Sequence, residues 1–114
     1  MANLPNETVT IVFNLQRQLW ELIDRTTGTT WAILEQYGET DTTVIALEQL
    51  ENSTERLTSS YSRLYNLMLR IGEAQPMADS ATLNLLLATI AQSQAIVAAV
   101  EASVREARRD FDLP

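Results

Sequence analysis

The stretch RTTGTTW, Arg25 to Trp31, sets four threonines and a glycine inside what otherwise reads as a long helix. If it is a loop, a short first helix stands against two long ones. If it is helical, the chain divides into three segments of equal length. Periodicity decides. Upstream, Val12, Leu19 and Ile23 mark a buried face, and downstream Ile33 and Tyr37 do the same. Thr26 and Thr30 fall in phase between them, whereas a loop would usually break the phase. Continuity has a cost: on intrinsic propensity, four threonines and a glycine lose roughly 3–4 kcal/mol against alanine. The spacing predicts a continuous but locally weak helix, with a kink or break at Gly28 as the alternative.

Helix signals divide the rest. Asn3 to Asn6 offers a cap with Pro5 near the first turn, and Gly38 is a natural residue to follow the helix end. Thr40 or Asp41 can cap a second segment that runs to Gly72. After EAQPMADS, Asp79 or Ser80 caps a third that continues to about Phe111. The expected helices are therefore about 6–37, 41–71 and 79–111, each about 45–50 Å long at 1.5 Å per residue. Short connections make neighbours antiparallel. The expected fold is all-α: one domain over residues 1–114, an up-down-up bundle of three long helices, completed by dimerisation.

Apolar spacing agrees. The second segment places Leu47, Leu50, Thr54, Leu57, Tyr61, Leu64, Met68 and Ile71 at alternating steps of three and four. The third does so with Leu83, Leu86, Ile90, Ser93, Val97, Val100, Val104, Ala107 and Phe111. Such stripes favour shallow, coiled-coil-like crossings. Folded this way, Thr26 and Thr30 lie level with Asn52 and Ser53 of the second helix and with Ala98, Ala99 and Ala102 of the third. That small or polar layer implies close helix approach, with threonine hydroxyls bonded to their own helix.

Composition narrows the chemistry. Of 114 residues, 46% are hydrophobic and 20% charged, enough for a core of moderate size. The net charge is −7, and all 8 basic residues are arginine. An acidic surface repels phosphate backbones, so nucleic acid is not an expected partner. Histidine, cysteine and lysine are absent. That removes imidazole bases, thiol nucleophiles, Schiff bases and disulfides, and leaves only carboxylate-driven catalysis. No cofactor is expected. The opening residues lack a secretory pattern, so the expected compartment is cytoplasmic, and the acceptor-like triplets at Asn6 and Asn52 are read as chance.

Between Asp79 and Glu101 lie 21 residues with no charge, SATLNLLLATIAQSQAIVAAV. The length would span a membrane, but Asn84, Gln92 and Gln94 suit lipid poorly, so no membrane partner is expected. A helix buried on several sides fits better. Its leucine and valine stripe faces the other two helices, and its back carries Ala88, Ala91, Ala95, Ala98, Ala99 and Ala102. Two companions cannot cover a whole third helix, and a second copy is the simplest cover. On the first helix, Phe13, Trp20 and Trp31 fall within about 20° of one line at 100° per residue, expected at the edge of the buried face. Aromatics so placed either cap the core or serve an interface. The expected interface is Phe13, Trp20, Trp31, Ala88, Ala91, Ala95, Ala98 and Ala102. Thr26, Thr30, Asn52, Ser53 and Ala99 form the candidate small, polar layer.

Three functions are compatible with this. The leading expectation is a non-enzymatic interaction protein (adaptor, assembly factor or small regulatory subunit) acting as a homodimer with a protein partner. A second is a bundle holding a small apolar ligand at the threonine–alanine level. A third is a magnesium-dependent phosphohydrolase built on Glu48 and Glu51. It lacks a matching acidic pair among Glu101, Glu106 and Asp110, and Arg105 is expected to pair with Glu48 and Glu51 instead. The tail REARRDFDLP is expected to be a frayed helix end.

Overall fold

The computed structural model describes residues 4–114. It contains three helices, α1 (Asn6–Tyr37), α2 (Val44–Glu73) and α3 (Ser80–Asp110), each packed on the other two. They run up, down and up in a rod of 56 × 20 × 18 Å. This is the expected all-α bundle.

α1 passes through RTTGTTW without a break. Its buried residues Val12, Leu15, Leu19, Leu22, Thr26, Thr29 and Ile33 form one heptad stripe, and the threonines occupy two of its core positions. Thr26 and Thr29 are fully buried, so the deep partner of Thr26 is Thr29, with Thr30 half-buried beside it. Each threonine hydroxyl donates to a carbonyl one turn back: Thr26 to Leu22 at 2.7 Å, Thr27 to Ile23 at 2.9 Å, Thr29 to Arg25 at 2.8 Å and Thr30 to Thr26 at 3.2 Å. These bonds satisfy hydroxyls that burial would otherwise strand. Arg108 of α3 reaches across and donates from Nη1 to Thr29 Oγ1 at 2.8 Å, tying the notch to the neighbouring helix.

Gly28 sits on the exposed side of α1, and a Cβ there would meet nothing within 4 Å. Glycine in a helix interior is less favourable than alanine by about 1 kcal/mol. Gly28→Ala is therefore expected to raise unfolding stability by about that amount in a urea titration. No gain, or a loss, would mean that the position is not ordinary helix.

The helix ends correct three expectations. α2 begins at Val44, later than expected, because Thr43 organises the turn before it. The buried Thr43 hydroxyl donates to the Gly38 carbonyl at 2.8 Å and accepts from the Thr40 N–H at 2.9 Å, so residues 40–43 are already committed. Gly38 ends α1 with φ 73° and ψ −174°, a positive-φ backbone that suits glycine. Gly72 does not play that role: it lies inside α2, which continues to Glu73 and closes at Ala74. At the start of α1, Asn6 is the first helical residue and no side-chain cap is made, while Asn3 lies outside the described residues. α3 starts as expected, with Asp79 Oδ1 accepting from the Thr82 N–H at 2.7 Å. That bond holds the Asp79 carboxyl below its usual value. The sign follows from linkage: the cap is whole above the ordinary aspartate pKa and is lost as pH falls through the lowered one.

The core also differs in detail. On α2 the deepest stripe is Leu50, Ser53, Leu57, Ser60, Leu64, Leu67 and Ile71. Leu47, Thr54, Tyr61 and Met68 are only half-buried. A helix with two neighbours buries two adjacent stripes, and two of the deepest positions on α2 are the small serines Ser53 and Ser60. α3 buries Leu86, Ile90, Ser93, Val97, Val100, Val104 and Ala107 as the spacing predicts. The tail is not frayed. Tyr37 and Phe111 rings meet at 5.6 Å, Tyr37 Oη donates to the Phe111 carbonyl at 2.8 Å, and the Leu113 N–H closes on the Arg108 carbonyl at 2.8 Å.

Candidate interaction surfaces

What the three helices leave uncovered is unusual for its chemistry. α3 spends one stripe on the core and turns the opposite side outward. Ala88, Ala91, Ala95, Ala98, Ala99 and Ala102 are all exposed, with Leu85 and Leu87 also exposed at 47% and 56%. An 18-residue window of this helix has mean hydropathy 1.6 and is only 33% buried. By length and hydropathy alone the helix is long enough to cross a membrane.

α1 exposes the aromatic line. Phe13, Trp20 and Trp31 are 57%, 61% and 67% exposed, so they do not cap the core. Trp31 stands about 160° from the stripe formed by Thr26, Thr29 and Ile33 at 100° per residue, almost directly outward. The alanine back and the aromatic line therefore belong to different helices and different sides of the rod.

Between α2 and α3 runs an open groove to which α1 contributes nothing. Its two stretches share Ser59, Arg63 and Gln92 and extend from Asn52 to Arg70 along α2. Arg63 Nη1 donates to Gln92 Oε1 across it at 3.2 Å. Asn52 and Ala99 both line this groove at the surface, while Thr26 and Ser53 lie buried in the core. The small, polar layer is thus two features: a buried level of threonine and serine in the core, and an open trough outside it. Small side chains made both legible as one band, because a sequence does not distinguish alanine used for close approach from alanine left in solvent.

The carboxylates stay dispersed. Among the described residues, no three acidic side chains come together as a metal-sized cluster, and Glu48 and Glu51 face solvent. The ion pair expected between them and Arg105 is not formed; the pair present among the described residues is Arg17–Glu21 at 3.0 Å along α1. On a helical wheel, Arg105 leaves α3 on the side toward α1, whereas Glu48 and Glu51 leave α2 toward solvent, so the side chains diverge. Arg108 is the residue the sequence did not flag. Its signal was slight: one of three arginines in REARRD, next to Ala107 of the apolar stripe.

The chain matches no family model, no curated protein and no solved structure.

Proposed function

We propose that this chain is a non-enzymatic helical interaction protein, an adaptor, assembly factor or small regulatory subunit, that works as a homodimer in the cytoplasm. One observation carries the reading. A single copy leaves the alanine back of α3 and three large aromatics of α1 in water. Scattered apolar side chains are normal on a surface, but contiguous apolar faces mark association sites. The available chemistry supports the same class. Without histidine, cysteine or lysine the usual nucleophiles and bases are missing, and the acidic surface disfavours nucleic acid. The amides of Asn84, Gln92 and Gln94 favour a protein cover over lipid.

Alanine permits close backbone approach, so the α3 back suits a helix of the second copy. The aromatic line, on another side, suits a different protein partner, where aromatic anchors carry much of the binding energy.

Ala95→Glu tests the reading. A carboxylate forced into a tight apolar interface costs several kcal/mol unless it protonates or escapes. The variant is expected to be a folded monomer, its mass halved in native mass spectrometry and its far-ultraviolet circular dichroism nearly unchanged. Glu106→Ala, as a control, is expected to stay dimeric. A variant as dimeric as the wild type would return the alanine back to solvent.

A further inference from the structure

α2 carries an exposed stripe that reads the same in both directions with its charges inverted. Around Ser59, at eleven, seven and four residues before it, stand Glu48, Asn52 and Glu55. At four, seven and eleven residues after it stand Arg63, Asn66 and Arg70. All seven are exposed. They occupy about 80° of the helix circumference at 100° per residue, so they form one row. Glutamates hold one half, arginines the other, and asparagines sit at matching places.

α3 repeats the symmetry without charge. Its surface stripe Leu85, Ala88, Gln92, Ala95, Ala99 and Ala102 is spaced by threes and fours evenly about the midpoint between Gln92 and Ala95. Ser59, Gln92 and Ala95 line the same part of the α2/α3 groove. The centres of the two stripes are therefore level, and one axis perpendicular to the helices serves both.

We infer that the α2/α3 face is the homodimer interface, closed by a two-fold axis at Ser59 that lays α2 antiparallel on α2 and α3 antiparallel on α3 of a second copy. The inference rests on the homodimer reading above and gives it a geometry. Under that axis Glu55 meets Arg63 of the second copy, Glu48 meets Arg70, Asn52 meets Asn66 and Ser59 meets itself. The pairing is isologous, as a closed dimer requires. The alternative axis, along the rod, would set the charged row of α2 against the alanines of α3 and leave the charges without partners. A parallel pairing of α2 with itself would oppose glutamate to glutamate. The row is about 33 Å long at 1.5 Å per residue, on a face about as wide as the rod, 20 Å. That gives roughly 650 Å² per copy, near the ~800 Å² per partner of a standard stable interface. The aromatic line on α1 stays free, because α1 lies on the far side of the bundle from this groove.

Two variants test the arrangement. Glu48→Arg with Glu55→Arg makes the row wholly positive, and Arg63→Glu with Arg70→Glu makes it wholly negative. Each alone is expected to dimerise at least about tenfold more weakly than wild type, since like charges then face one another. Mixed in equal amounts, they are expected to form a one-to-one heterodimer, resolved by mass in native mass spectrometry. Separately, Ser59→Cys in this cysteine-free chain is expected to oxidise to a disulfide-linked dimer, and Thr27→Cys on α1 is not. If the wild type is dimeric while both charge variants dimerise unchanged, mix without preference, and Ser59→Cys does not cross-link, this arrangement is overturned and the homodimer reading stands. If the wild type is monomeric in the same measurement, both fall.

Discussion

Replacing Leu57 by alanine is expected to lower stability by about 2–5 kcal/mol, the range for deleting a fully buried leucine. Leu57 is completely buried near the middle of α2, within the leucine column that includes Leu50 and Leu64. Long straight helices cannot collapse easily into a gap at their centre, so both the lost transfer energy and the cavity contribute. The melting temperature is expected to fall by roughly 8–20 °C, given the usual few degrees per kcal/mol at this size. Leu87→Ala is the comparison. That side chain is 56% exposed on α3, and its loss is expected to change stability by less than about 1 kcal/mol. Urea titrations of the two variants check the pair. Equal effects would mean that the core stripe is misassigned.

The second large effect is expected at the notch. Gly28→Pro removes a backbone donor and drives a ring against the carbonyl of Asp24, which disrupts a helix interior by about 3 kcal/mol or more. In a loop the same change would be tolerated, and in a favourable turn it would even stabilise the fold. Proline and alanine at this one position thus move stability in opposite directions only if α1 is continuous. The readout is the urea midpoint of both variants, together with the loss of helical circular dichroism in the proline form. A proline variant as stable as wild type would break α1 in two.

Much of this architecture was legible because it rests on periodicity. Val12, Leu19, Ile33 and the α3 stripe from Leu86 to Ala107 recur at threes and fours over a long span, and chance rarely keeps that phase. Asp79 was legible as a cap because its carboxylate has one obvious use there. What escaped was set by contacts distant in sequence. Thr29, three residues on from Thr26 and four before Ile33, keeps the heptad phase that Thr30 leaves, and its bond from Arg108, a long way along the chain, could not be read from spacing. Val44 starts α2 because the Thr43 hydroxyl is taken by the Gly38 carbonyl, a competition that propensity does not register. Gly72 looked like a helix terminator, yet helical backbone accommodates glycine wherever the flanking turns hold.

The candidate surfaces were legible in part. Phe13, Trp20 and Trp31 stand on one line in sequence and in space, but that line lies opposite the core stripe and not at the edge of the buried face as expected. The alanine back was visible as an absence of charge. The charged row of α2 was hidden in plain composition, because glutamates and arginines at heptad spacing normally read as a solvated flank. Only the groove, which places Ser59 level with Ala95, turns that flank into a surface with a centre.

Sedimentation equilibrium of the wild-type protein at micromolar concentration tests the central claim most directly. The reading predicts a particle of twice 12.8 kDa; a single species of 12.8 kDa across the concentration range would contradict it.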